Sequence, residues 1–311
     1  MKRPHLSEEK ELKVIDTTLE QQRTLNAFYL REIGQPSDYE KSPQLNEYFA
    51  IEEVENQWND YENSRIGVQQ FPDNAEDFLT WYNKLHMAHR KKVAPFFTRL
   101  AESSTLEELS FYIAMENEVD GRFDDVIALA QLGMTGDMKL ALAENYWDEM
   151  GMGVLEQMHT VLFNQSHEKL RDIAGVSSVR VHAPKEALKN GNLLLMYALR
   201  RKYHPRLLGT LAILEHTAPY RFAKTVQAMR RLGMPDDVIY YHDMHIQVDA
   251  NHGKQLIERV LMNLAINNPE VIPELCIGCL TRYNVAVDYY NSVEAEMNKI
   301  TTVKMKEYEN E

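Results

Sequence analysis

The stretch His245-Ile246-Gln247-Val248-Asp249-Ala250-Asn251-His252 decides how this chain is read. It has the form H-x3-D-x2-H inside a long helical pattern. Residues three and four apart share one helical face, so His245, Asp249 and His252 point the same way, with His242 one turn earlier. Two imidazoles flanking a carboxylate on one stripe can form an edge of a metal site. An exposed polar face would show the same residues, so the case rests on partners from other helices.

Working outward, the motif sits in a helix predicted from Val238 to about Asn267. That helix follows a stop and start at Gly233-Met-Pro235-Asp-Asp. Upstream, spacing predicts a helix over Leu207 to Leu232, kinked at Pro219. It carries Glu215 among Leu208, Leu211, Ala212, Ile213 and Leu214, where a carboxylate needs a salt bridge, a cap or a metal. Lys185 to Tyr203 is another helix, closed by His204-Pro205. Met138 to about Gln165 reads as one helix. Glu149 and His159 lie close to three turns apart on it, and Gly151 and Gly153 are expected to distort it between them. Leu106 to Leu132 also reads as one helix. Glu116 lies on its apolar stripe and Glu118 at the edge, so Glu116 is the better ligand candidate unless the face is wide enough to solvate it.

Asp73 to Leu100 forms a helix capped by Asp73 or Asn74, which Pro95 must kink or end. His86 and His89 on it read as surface residues or supports. The last helix runs from about Glu274 to Lys304, and the Lys/Glu-rich tail after Thr301 is expected to fray. Residues 1–72 hold a polar arm and two helical patterns. No alternating β run, dinucleotide GxGxxG or P-loop signature is present. The expectation is an all-α domain of about seven core helices over 73–311, with an N-terminal helical extension over 1–72.

Composition narrows the function. A formal net charge of -13 argues against general nucleic-acid affinity, which needs Lys/Arg to displace counterions. The two cysteines, Cys276 and Cys279, give one C-x2-C and no second pair, which reads as a helical i, i+3 pair rather than zinc or redox chemistry. The N-terminus lacks an apolar signal region. No run approaches the ~20 apolar residues that span a bilayer. The expectation is a cytoplasmic protein without nucleic-acid or membrane partners, with a homodimer as the default for a helical enzyme of this size.

Glu116, Glu149 with His159, Glu215, and His245 with Asp249 and His252 lie on four separate helices, each on or near an apolar face. Inward carboxylates and imidazoles from several helices are how a bundle holds a dinuclear iron centre. The segments Asn145-Tyr-Trp-Asp-Glu-Met-Gly151, Met158-His159, Leu214-Glu215-His-Thr-Ala-Pro219 and the opening motif resemble those of the haem-oxygenase-like diiron oxidases and oxygenases, across roughly residues 75–290. The resemblance implies a haem-oxygenase fold without haem, two Fe(II) ions and O2 as co-substrate. It maps Glu149, His159, His245, Asp249 and His252 to iron ligands, and Glu116 and Glu215 to positions where family members differ in which acid completes the shell. Tyr241, His242 or Asp148 would orient the imidazoles.

Members of that family N-oxygenate amines, cleave or desaturate amino acids, or decarboxylate fatty acids. The expected substrate here is a small amino acid or amine, with a fatty acid as the alternative. One arginine of Arg200, Arg201, Arg206, Arg221, Arg230 and Arg231 could hold a substrate carboxylate. The competing readings are a metal-free ligand-binding helical protein, a helical interaction protein, and haem binding through one histidine, which leaves the acids unexplained.

Overall fold

A computed structural model describes residues 14–176 and 182–308. The first part of the N-terminal arm, the serines of the 177–181 connection and the end of the tail lie outside the described residues. The described residues form helices and turns, with no strand among them.

Helix α1 (Leu19–Glu32) starts at a capping box, in which Thr18 accepts from the Gln21 amide and Gln21 answers to the Thr18 amide. With α2 (Leu45–Ile66) it forms the N-terminal layer. Its Leu25, Phe28 and Tyr29 join Ile51 and Trp58 of α2 in a core shared with residues 193–198 and 207–214. A buried ammonium ties this layer down: Lys189 lies 3.0 Å from both Asp16 and Glu62.

All seven expected core helices are present, three of them in pieces. α3 (Ala75–Ser103) starts at an Asn74 cap and continues through Pro95. Proline removes one backbone donor; here the buried Val93, Phe96 and Phe97 around it keep the helix going. The next expected helix breaks at Gly121-Arg122 into α4 (Leu106–Asp120) and α5 (Phe123–Ala130). The helix expected over 138–165 is two helices, α6 (Gly136–Glu149) and α7 (His159–Ile173), separated by two short 3-10 turns. Gly151 sits at φ +57°, and a Cβ there would lie 2.4 Å from the Gln157 carbonyl carbon. The distortion expected at Gly151 and Gly153 is therefore a complete break, at which the chain folds back on itself.

α8 (Lys185–Leu199) is followed by α9 (His204–Arg231), whose Pro205 occupies the first turn, where a missing N–H costs nothing. α10 (Asp236–Gln255) leads through one π-helical stretch into α11 (Met262–Asn267), and α12 (Ile272–Tyr308) closes the chain.

α9 is the axis, packed against α3, α8, α10 and α12. Its crossing with α12 is close enough to need glycine on both sides. A Cβ on Gly209 would meet the Leu275 carbonyl oxygen at 2.2 Å, and one on Gly278 would meet the Arg206 carbonyl oxygen at 2.1 Å. The cysteines belong to this seam: both are buried and free, and Cys279 Sγ lies 3.3 Å from the Gly209 carbonyl. Overpacking at a backbone contact cannot be relieved by a rotamer change. Gly209→Ala should therefore cost about 2 kcal/mol of stability, measured by urea unfolding. An unchanged midpoint would mean that the crossing is looser than described.

Candidate metal centre

Six of the seven sequence candidates meet in two buried groups: Glu149 with His159 and His245, and Glu215 with Asp249 and His252. α10 supplies His245, Asp249 and His252 from one face, as its i, i+4, i+7 spacing dictates. α9 brings Glu215 in from its most apolar run. Glu149 is the last residue of α6, so its carboxylate stands at the negative end of a helix dipole, which favours a cation nearby. His159 is the first residue of α7. The glycine turn between them, rather than three turns of helix, brings His159 Nδ1 to 2.9 Å from Glu149 Oε2.

The hydrogen bonds fix which ring nitrogens face inward. His245 Nδ1–H donates to the Tyr241 carbonyl at 2.6 Å, leaving Nε2 as a lone pair aimed at His159 Nδ1, 3.1 Å away. His252 Nε2–H donates to Asp148 at 3.0 Å, so Nδ1 faces Glu215 and Asp249. Two of the supports expected from sequence thus orient imidazoles, Tyr241 through its carbonyl rather than its hydroxyl. His242 is buried beside the Phe222 ring, with Nδ1 unpartnered. Asn145 donates to Glu215 Oε1 at 3.1 Å.

These donor sets fit a cation. His252 Nδ1 is buried without a hydrogen-bond partner, and it stands 3.9 Å from both Glu215 Oε1 and Asp249 Oδ1. That is too far for a hydrogen bond. It is right for ligands of one ion, since atoms bound at roughly 2.1 Å stand about 3 to 4 Å apart. In the other group, Glu149 Oε2 and His245 Nε2 are both acceptors converging on His159. Electrostatics make the same demand. Burial, opposed by His252 and reinforced by Glu149, pushes Glu215 up to about 7. Burial and then the Glu215 and Glu149 charges push Asp249 well above the carboxylate range. His245 is held well below its usual range by burial, and so stays a neutral donor.

Glu116 is placed elsewhere. It pairs with the Arg221 guanidinium, and its other oxygen accepts from the Tyr289 hydroxyl at 2.6 Å. The acid on the stripe is buried, as the sequence suggested, but an arginine satisfies it. Asp120, one turn on and not among the ligand candidates, borders the cavity beside both groups and takes Arg221 at 3.1 Å. Its position four residues after Glu116 on the same stripe was the available signal. Of the candidate arginines, Arg221 alone lines that cavity; Arg200, Arg206 and Arg230 pair with Glu55, Glu274 and Asp243. His86 and His89 are not simple surface residues: His86 stacks on His216 and His89 is buried against Thr217.

A family model of iron-containing redox enzymes matches residues 111–287, more than half of the chain. The chain belongs to that family. This iron-containing redox enzyme also shares its fold with solved structures. One is a domain of unknown function with a haem-oxygenase-like fold from Shewanella denitrificans OS217, at 12% identity and a TM-score of 0.56, covering 72% of this chain and 94% of that one. Another is a CADD-like protein of unknown function from Nostoc punctiforme PCC 73102, at 16% identity and a TM-score of 0.51, covering 70% and 96%. At these identities the likeness concerns the haem-oxygenase-like fold alone. No curated protein matches the sequence. No helix among the described residues is long and apolar enough to cross a membrane.

The raised carboxyls set a pH dependence for iron. Near pH 7 Glu215 is about half protonated, burial and the neighbouring acids hold Asp249 well above the ordinary carboxylate range, and Asp148, against the lowering effect of burial, raises the pKa of His252. A metal must displace those protons, so Fe(II) binding should release protons at pH 7 and tighten from pH 6 to 8. Anaerobic calorimetry in buffers of different ionisation enthalpy checks this, and a pH-independent affinity would contradict it.

Proposed function

We propose that this iron-containing redox enzyme is a non-haem diiron oxidase or oxygenase that uses O2 to oxidise a small amino acid or amine, by oxygenation at nitrogen or oxidative cleavage beside it. The observation that carries the reading is the pair of buried three-donor groups bordering one cavity, with Glu149, Glu215, His245 and Asp249 all in its wall. A single haem would need one of these imidazoles and none of the acids.

Glu149, His159 and His245 would hold one ion, and Glu215, Asp249 and His252 the other. Two ferrous ions would supply two electrons to O2. The chain's own residues do the rest. Tyr241 and Asp148 lock two imidazoles with their lone pairs inward. Asn145 holds the Glu215 carboxylate in place. Arg221 neutralises Asp120 at the cavity wall, and Phe123, Leu214 and Phe222 exclude water from the reacting space. The small lining favours a compact substrate. We further propose a cytoplasmic enzyme without nucleic-acid or membrane partners, acting as a homodimer.

Anaerobic Fe(II) titration of the metal-free chain, followed by exposure to O2 with candidate amines and amino acids, tests this. The expected result is two ions per chain, both oxidised as O2 is consumed, with a product bearing added oxygen or a cleaved bond. His252→Ala should lose one ion. Glu116→Gln should keep both while losing about 3 kcal/mol of stability, because it leaves a buried arginine with one carboxylate. Iron binding no greater in the parent than in His252→Ala would sink the reading.

A further inference from the structure

Oxygenation sets an electron demand. Placing one atom of O2 in a substrate sends the other to water with two protons, and takes two electrons beyond the two of the substrate bond. Two ferrous ions supply that pair once, and each further turnover needs two electrons from outside. The side chains that would hold the ions are buried, Glu149 and His252 among them. A reductant cannot touch the ions, so electrons must enter through the protein.

The outer nitrogens of the imidazoles show where. His245 is held by the carbonyl of Tyr241, a buried residue. His252 is held instead by Asp148, at 3.0 Å, whose side chain is 43% exposed. The residue before Asp148 is Trp147, half exposed near the end of α6. Its indole lies over the glycine turn, where a Cβ on Gly153 would meet it at 2.9 Å. A short run of covalent bonds and one hydrogen bond therefore joins a surface indole to a metal-facing imidazole.

Trp147 is not exposed alone. Met152, Val154 and Leu155, on the turn that it covers, are all exposed, and Leu140, two turns earlier on the same face of α6, extends the patch. Single exposed apolar residues need no explanation, but a contiguous group does. Met152 is also the one non-glycine residue with positive φ among the described residues, at +53°. Such strain collects where a surface has a task, and a thioether adapts to the contour of a partner. Around the patch, Asp137, Glu144, Asp148 and Glu156 outnumber Lys139 and Arg259, so its rim is negative. A negative rim selects a positive partner. A second copy of this chain does not fit, because a two-fold contact would set the same negative rim against itself.

Resting on the diiron reading, we infer that this patch docks a small electron-carrier protein with an apolar redox edge ringed by lysines, and that electrons enter from Trp147 through Asp148 to His252. Two carrier molecules each give one electron per turnover and leave oxidised.

The probe is a low-potential c-type cytochrome whose haem edge is ringed by lysines. Binding is measured first, by calorimetry of the oxidised cytochrome against the full chain loaded with Zn(II), where no electron moves. The complex should weaken as salt rises, and Leu155→Glu should weaken it at least ten-fold. Reduction of the iron-loaded chain after exposure to O2 is then followed by stopped flow. Below saturation the cytochrome should reduce Leu155→Glu at least ten-fold more slowly than the parent, while the methyl viologen radical, which needs no docking, reduces both alike. Trp147→Leu keeps an apolar contact, and should slow electron transfer within the saturated complex more than it weakens binding. A cytochrome that does not bind, or that binds Leu155→Glu equally well, overturns the docking, as does an acidic ferredoxin that binds as tightly. A parent dimer that Leu155→Glu turns into a monomer in the ultracentrifuge assigns the patch to a second copy instead. An equal loss of rate with viologen gives the turn a part in the structure of the centre and overturns the docking too. Iron content separates the two readings: two ions per chain, reduced by viologen but not by the cytochrome, sinks this inference alone, and fewer than two sinks the diiron reading.

Discussion

The cost of burying Glu149, Glu215 and Asp249 beside one another constrains everything around them. Each is almost fully removed from water. An isolated carboxylate in such a place either takes up a proton or finds a positive charge. Asp120 adds a fourth acid at the wall and is answered in part by Arg221. For the other three, the neighbours are imidazoles whose inward nitrogens are lone pairs, or share one proton at most. The protein has therefore assembled acceptors facing acceptors, an arrangement that costs stability unless a cation sits between them. Folding energy from two large apolar clusters holds it open.

α9 is where that energy and the chemistry meet. The helix is buried on most of its circumference, so each polar residue along it must be matched to a partner. Thr210 bonds across the seam to the Gly278 carbonyl, Thr217 supports His89, and Arg221 holds Glu116 and Asp120. Glu215 alone is left with a single weak neutral donor, Asn145. The contrast between Glu215 and Glu116 is the useful one. Both are acids on apolar faces, and the structure gives one an arginine and leaves the other facing an unpartnered imidazole.

That contrast also explains what was legible in the sequence. The seven-helix plan followed from apolar spacing, because long amphipathic helices state their faces plainly. The inward stripe of α10 followed from its spacing alone. Two breaks inside expected helices, at Gly121 and at the π turn after Gln255, were not legible, because they act through tertiary contacts that propensity does not contain; Gly151 and Gly153 did announce a distortion, but not that the chain folds back there. Glu149 and His159 were paired for the wrong geometric reason: they meet across a folded turn rather than along a helix. Glu116 was read correctly as buried, but spacing cannot say whether the cation that satisfies an acid is a metal or the guanidinium of a residue far along the chain. Arg282 carried no sequence signal beyond standing among apolar neighbours on α12.

The two arginines near the centre then take different parts. Arg221 is fully engaged: Glu116 and Asp120 hold it, and breaking either pair would leave a buried charge exposed to its opposite's absence. It is poorly suited to release a partner for an incoming ligand. Arg282 has no carboxylate within ion-pair distance among the described residues; it donates to the Asn190 side chain, and Asp120 acts on it through space. Two divalent ions would bring four positive charges to the three carboxylates of Glu149, Glu215 and Asp249, and the low dielectric that makes three neighbouring acids expensive is what makes that neutralisation worth most there.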